Sequence, residues 1–548
     1  MRRVRSAWSA AERLASSRRG AAVLFAVAGA FYALESIALP LIPGRDFGTY
    51  LRFYDQMWEW HSVLPMSMLY RTPVTPLVAG GSLDVLGGVG AQVVMGVLYA
   101  GSVVAWCAAA SAFGRRVALV TAIALVVFPG YAILFHKLAS DAIFAAGFAA
   151  WALAVSRAYV RPSLGRWVLV GLSVALLALI RPGNQVLIVA AALPLVLALP
   201  WRRRVVLGIA TAAMAVGVLG LWAVSNGVRY DDYAVARGGE AYTPFFRTFV
   251  ADRIVSPSNG PASKELAAAV QRDLLTQEPY RSYGIDLKTF FAQGNDREFE
   301  DLLGLSDRVW GWDTDYAKLR EVGDEAVRAH PSAYARGVGH TIWAQLWQPL
   351  FVALPKPAAA GSAGSSGGGP TIVVAGRTLP KPTERMTIPA AHQGFYSTMP
   401  DHRIREVWTS PTAHQVVFDD PSAARRFARM NVNVARLWAK LPAYSGSASL
   451  TRQLSRSSKL YPRPALLLVV GLVALLWRRP KRAGLALALA GAASLVVLFN
   501  ALTIYPIIEF AVPVVPAFVL LCAVGLVGRG ERPDASSGSS SPQQSGAR

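Results

Sequence analysis

The sequence predicts an α-helical polytopic membrane protein with about ten transmembrane helices and a mixed α/β insert outside the bilayer. Three observations carry this prediction. Hydrophobic residues make up 53% of the chain and charged residues only 16%, against roughly a quarter in an ordinary soluble domain. The apolar residues gather in long runs, each near the length of about 20 residues that a helix needs to cross a bilayer. The 55 Lys and Arg residues outnumber 33 Asp and Glu for a net charge of +22, and many of them flank those runs.

Arg2, Arg3, Arg5, Arg13, Arg18 and Arg19 precede the first run. Arg115 and Arg116, then Arg202, Arg203 and Arg204, then Arg478, Arg479, Lys481 and Arg482 separate others. Positive loops retained inside give this pattern. It accounts for the charge without nucleic acid, and no nucleic-acid partner is expected. Cys107 and Cys522 both lie in apolar runs, so no disulfide framework is expected.

Residues 1–20 read as a basic cytoplasmic N-terminus, and 21–225 as an N-terminal transmembrane module. Its first run, 21–43, is longer than a signal-peptide core and lacks a convincing small-residue cleavage site, so it reads as a retained helix. The loop 44–88 then faces outward. Further spans are expected near 90–112, 117–135, 140–155 and 167–180, in one run before Trp201, and near 205–224. Residues 226–462 form a long, mostly polar outer region. It holds helical stretches (KELAAAVQRDLL, YAKLREVGDEAVRAH), a flexible linker at 358–370 (AAAGSAGSSGGGP) and a short strand (TIVVAGRTL). Asp420-Pro421 opens a helix in which Phe427, Met430, Val434 and Leu437 share one face. Residues 338–354 are apolar enough to suggest a span, but a crossing there would put the basic cluster 478–482 outside. They read instead as an interfacial helix with Trp343 and Trp347 at the boundary. Residues 463–528 form the C-terminal transmembrane helices, and 529–548 a Ser/Gly/Gln-rich cytoplasmic tail expected to be disordered.

The chain carries no Walker loop, HExxH, CxxC pair or nucleophile elbow. What remains is a set of polar residues at the outer ends of membrane helices. Asp46 follows the first run by a few residues, where a carboxylate is costly unless used. It can take the proton of an acceptor hydroxyl as general base, or it can pair with Arg45 or cap the next helix. Arg71 precedes Thr72-Pro73-Val74-Thr75-Pro76, whose prolines stiffen a helix start. Its fork of donors suits a phosphate, or it snorkels at the interface. In HKLASD, Lys137 and Asp141 are four residues apart and able to pair on a helix; with His136 they can instead line a cavity opening outward. Arg181 ends a span in ALIRPGNQ, and Glu509 lies in YPIIEFAVPVVP. Tyr50 and Asp55, on the aromatic-rich stretch after Asp46, are assigned to the same cavity.

These motifs resemble those of the GT-C superfamily of membrane glycosyltransferases, in the branch of protein O-mannosyltransferases and the bacterial aminoarabinose transferase. GRDFGTYLRFYDQ is similar to that branch's first outer loop. Arg71-Thr72-Pro73-Val74-Thr75-Pro76 resembles its basic residue before a Pro-rich helix start, LIRPGN its L-x-R-P-x-G, SDAIFAAGF its acidic helix start, and EAVRAHPSAYARGV a stretch after its outer loop. Two positions depart from the pattern: Phe47 stands where an acidic residue is common, and IIEFAVP where an Arg-Tyr pair is frequent. The resemblance implies a GT-C-like fold. It also implies inverting transfer of a sugar from a polyprenyl-phosphate donor to an envelope glycan, lipid or protein, on the outer face of the cytoplasmic membrane. Asp46 inherits the role of base, Arg71 and Arg181 contact with the donor phosphate, and Asp141 a place near the sugar or a metal. A divalent metal near Asp46 or Asp141 has no ligand motif behind it, and membrane lipids complete the expected partners. Two other classes stay open. A transporter or flippase would more often show repeated halves and helices broken at mid-membrane, and a non-catalytic envelope-assembly scaffold would tolerate loss of Asp46.

Overall fold

The long uncharged runs become long helices. In the computed structural model, seven are long and apolar enough to cross a membrane: Arg18–Ala38, Val74–Phe113, Ser140–Val160, Trp201–Tyr230, Arg456–Arg478, Ala483–Thr503 and Ile508–Val527. Three further helices, Arg115–Val126, Leu164–Ile180 and Pro182–Val196, fall short of that length. The chain is a multi-pass membrane protein. The structure describes residues 11–12, 17–60, 62–64, 68–239, 241–350, 352, 371–374, 377–380, 383–387, 404–410, 413–418, 420–442 and 448–528. The linker 358–370, the tail 529–548, and Arg2, Arg3, Arg5 and Arg13 lie outside the described residues.

Two expected spans take a different form. The run 117–135 is not one helix. Arg115–Val126 stops, Phe128 is extended, and Pro129 opens a separate helix, Pro129–Leu134. Proline clashes with a helical residue before it and lacks the N–H that would continue the ladder. The run near 90–112 belongs to a longer helix that begins at Val74, just after Arg71, and bends at Gly87. Gly87 has φ 69°, which a side chain at that position would strain.

The elements around the loop that follows the first membrane helix are the helix Arg18–Ala38 (α1), the two-residue strand Ile42–Pro43 (β1), the helix Phe47–Gln56 (α2) and the bent helix Val74–Ala110 (α3). They meet the strand Lys137–Leu138 (β2), the helix Ser140–Val160 (α4) and the helix Leu164–Ile180 (α5). β1 and β2 pair in parallel, Ile42 opposite Lys137 and Pro43 opposite Leu138. The transmembrane core packs buried side chains of α3 and α4 against the C-terminal helices, with Trp106, Phe148 and Trp151 among the largest.

The region after residue 226 has its own core. Phe245, Phe249, Phe290, Phe299, Leu302 and Leu319 are buried together between residues 241 and 329. YAKLREVGDEAVRAH forms the helix Ala317–Ala329, as its periodicity predicts. TIVVAGRTL is two strands rather than one, Thr371–Val374 and Arg377–Pro380, paired antiparallel. A three-stranded sheet of Thr383–Thr387, Ala413–Phe418 and Ile404–Ser410 follows. Next comes the helix Pro421–Ala439 (α6), where Asp420 accepts from the Ser422 amide as the expected cap. Its apolar face is buried: Phe427 and Met430 pack on Val63 and Leu64 of the segment after α2, and α6 lies along α2. The stretch 338–354 lies largely in the helix Pro331–Trp347, which is 17 residues long and not among the seven spanning candidates. Trp343 is exposed on it, and the helix packs against Ala483–Thr503.

Candidate active site

The site is built where β1 crosses β2. The Ile42 amide donates to the His136 carbonyl and the Gly44 amide to that of Leu138. A Cβ on Gly44 would lie 2.3 Å from the Cβ of Ala139, so only glycine lets the two segments approach this closely. This parallel pairing ties the end of α1 to the start of α4, and with it Asp46 to Asp141. Gly44→Ala is therefore expected to destabilise the protein by about 1–3 kcal/mol and to displace Asp46. Thermal unfolding of the purified protein checks this, and an unchanged melting temperature would show that the crossing is not required.

Asp46 stands at the head of α2 in the left-handed region, φ 59° and ψ 15°, and its side chain makes no cap hydrogen bond. Short polar side chains tolerate that conformation best. Its carboxylate pairs instead with Arg71, Nη2 to Oδ2 at 2.9 Å. Burial works against the charge of Arg71, but Asp46 and the surrounding tyrosines outweigh it and hold the guanidinium above its ordinary pKa. Arg71 lies over the Tyr70 ring at 4.9 Å, and its Nε is buried with no hydrogen-bond partner.

A second ion pair sits nearby. Arg181 caps the end of α5 in extended conformation and donates from Nη1 to Asp141 Oδ1 at 2.8 Å. The two arginines are placed by one buried bond: Thr75, at the start of α3, donates to the carbonyl of Ile180 at 2.9 Å. Tyr50, 5% exposed, stands with the two pairs and feels Arg71, Asp46 and Arg181. Burial pushes its hydroxyl pKa up.

Other predicted residues are arranged differently. Lys137 and Asp141 do not pair, because Lys137 lies on β2 rather than on the helix that begins at Ser140. Lys137 pairs with Glu509 at 2.5 Å, and Asp141 takes Arg181. His136 is fully buried, stacked on Tyr32 of α1 at 4.2 Å, with Glu35 3.5 Å away. Asp55 accepts from Gln56 and from Asn433, which ties α2 to α6 at the end of α2 away from Asp46.

The structure adds groups that the sequence reading missed. Arg45 donates to the Tyr505 hydroxyl at 3.3 Å, and that hydroxyl donates to Asp296 at 3.3 Å. Phe510 lies under both Arg181, at 4.1 Å, and Arg45, at 5.6 Å. Asp296 opens the helix Asp296–Val309 and feels Asp46; burial raises its pKa. Tyr242 faces Arg71 and Asp46, and burial raises its pKa too. Arg45 adjoins Asp46 in the chain, but Asp296, Tyr242 and Tyr505 carried no sequence signal of their own. Among the described residues no group of three or more His, Cys, Asp or Glu side chains converges as metal ligands.

Residues 71–226 match the family model of the dolichyl-phosphate-mannose-protein mannosyltransferases. The match opens on Arg71 and takes in Asp141 and Arg181, while Asp46 lies ahead of it. The resemblance to membrane glycosyltransferases is borne out over that segment. No curated protein matches the chain. Two solved structures are similar to it, both of ArnT from Cupriavidus metallidurans. The one bound to undecaprenyl phosphate shows 14% identity and a TM-score of 0.32, covering 93% of this chain and 78% of that one. The apo structure shows 14% identity and a TM-score of 0.30, covering 92% and 77%. Scores this low transfer no residue roles between the chains.

Proposed function

We propose that this chain, similar to the membrane mannosyltransferases over residues 71–226, transfers a sugar from a polyprenyl-phosphate donor to an acceptor of the cell envelope. The active site faces the outer side of the cytoplasmic membrane. The observation that carries the reading is the pairing of Asp46 with Arg71 beside that of Asp141 with Arg181, both around Tyr50. A lipid-borne phosphate reaches such a site sideways from the bilayer and requires no nucleotide-binding loop. Two planar guanidiniums suit its oxygens and stabilise the charge that develops as it leaves.

The resting ion pairs suggest an order of events. Arg71 holds Asp46 until a donor phosphate competes for the guanidinium. The released carboxylate then accepts the proton of the acceptor hydroxyl. The acceptor oxygen bonds to the anomeric carbon as the bond from that carbon to the phosphate oxygen breaks. The electron pair departs with the phosphate. Attack opposite the leaving group inverts the anomeric centre. Asp141 stays with Arg181 and orients it.

The test presents labelled polyprenyl-phosphate sugars to membranes holding the protein and follows label into envelope glycan, lipid and protein. Transfer to any of them is expected. Arg71→Gln removes one charge-assisted contact and is expected to weaken donor-lipid binding about 10- to 100-fold. Neither transfer nor donor binding across the panel would overturn the reading and favour a transporter or a scaffold.

A further inference from the structure

On the membrane face opposite Asp46, the beginning of α1 and the ends of α3 and α4 leave a cavity of about 540 Å³. Arg18, Arg157, Arg161, Arg166 and Arg482 line it, and among the described residues no Asp or Glu does. Arg482 also borders an adjoining cavity of about 470 Å³, together with Arg479. Of the guanidiniums, that of Arg166 donates to the Arg161 carbonyl and that of Arg482 to the Ala112 carbonyl. Carbonyls of this kind leave the positive charge unneutralised. Glu12 pairs with Arg116 at 2.9 Å and is not among the residues lining the cavity.

A buried hydroxyl lies in the wall of the same space. Ser156, on α4, is 2% exposed and lines the cavity, and its Oγ has no hydrogen-bond partner. A serine inside a helix ordinarily bonds back to the carbonyl one turn earlier, and a buried polar group left without a partner is costly. The first turn of α1 adds the positive end of a helix dipole. One wall is apolar, formed by Leu24, Val104 and Val160.

We propose that this cavity binds the headgroup of an anionic phospholipid. The arginines and the Ser156 hydroxyl meet the phosphate oxygens, and the apolar wall takes the first carbons below them. Basic pockets between spanning helices at headgroup level have this chemistry. Arginines that served only to set topology would need neither a cavity nor a buried, unpartnered hydroxyl. A free phosphate shares the charge but leaves the apolar wall bare. The site is independent of the transferase reading.

The test is lipid retention by the purified full-length protein in detergent, measured by native mass spectrometry with phosphatidylglycerol or phosphatidylcholine added. The wild type is expected to hold phosphatidylglycerol at least about tenfold more tightly than phosphatidylcholine. Arg157→Gln with Arg482→Gln is expected to abolish that preference, and Arg202→Gln with Arg203→Gln, in another loop on the same face, to leave it intact. Ser156→Ala changes no charge and is expected to weaken phosphatidylglycerol about threefold to tenfold; it carries the test if the double variant fails to fold. Equal loss in both arginine pairs would reduce the effect to general surface attraction and overturn the site. So would undiminished retention in the first pair and in Ser156→Ala. Displacement of the lipid by inorganic phosphate at equal concentration would assign the cavity to the free anion instead.

Discussion

Asp46→Asn is expected to lower sugar transfer by about 10²- to 10⁴-fold at equal expression, the usual contribution of a general base, with donor-lipid binding close to wild type. Asparagine is the informative substitution for a structural reason. Asp46 sits at φ 59°, and Asn is among the few side chains that accept this conformation readily. Alanine would change the backbone preference and the charge together. Asn keeps the shape, loses the basic oxygen, and leaves Arg71 with a weaker neutral partner in place of the 2.9 Å ion pair. That Arg71 stays available to phosphate separates the chemical role of Asp46 from a structural one. The measurement is label transfer beside donor-lipid binding on the same membranes. Transfer at the wild-type rate would remove Asp46 from the mechanism. Loss of binding together with transfer would make it a positioning residue for Arg71.

Arg237→Ala is expected to destabilise the region around residues 232–316 by about 3–5 kcal/mol, as removal of one partner from a buried ionic cluster does. The Arg237 side chain is 2% exposed and pairs with Asp232 at 3.0 Å and Asp307 at 2.9 Å. It also donates to the Tyr316 hydroxyl and the Trp312 carbonyl, and lies over the Trp312 ring at 3.7 Å. Burial pushes the Asp307 carboxyl up to about 6, with Arg237 opposing that rise; without the guanidinium two carboxylates would be left unpaired. Lysine would not rescue the site, because one ammonium cannot reproduce the fork. The effect reaches the active site through the backbone, since the Arg237 amide donates to the carbonyl of Leu69, two residues before Arg71. Thermal unfolding and limited proteolysis between residues 232 and 316 provide the measurement. A melting temperature within error of the wild type would show that the cluster contributes nothing net.

The membrane reading was legible in the sequence because hydropathy and flanking charge add up along the chain. No fold is needed to see that 16% charge and long apolar runs require a bilayer. Helices on amphipathic spacing were legible for the same reason, as α6 and Ala317–Ala329 show. Asp46, Arg71, Asp141 and Arg181 could be singled out because each stands at or beside the end of an apolar run. Broken helices were harder. Pro129 gave a local cue that 117–135 could not be one helix, whereas the union of 74–86 with 88–110 depends on a single glycine at positive φ.

Tertiary structure alone decided who pairs with whom. Lys137 and Asp141 have helical spacing, yet pairing of β1 with β2 takes Lys137 out of the helix and gives it to Glu509, 372 residues away. Arg71 meets Asp46, and Arg181 meets Asp141, because Thr75 fastens α3 to α5 and Gly44 lets β1 cross Ala139. Asp296 and Tyr242 reach the site because the region after residue 226 folds over it, and Tyr505 because the turn between the last two membrane helices packs beside it. Charge and hydropathy are properties of single positions and can be read in one dimension. An ion pair depends on the distance between two side chains, and across hundreds of residues only the packing of the elements between them sets that distance.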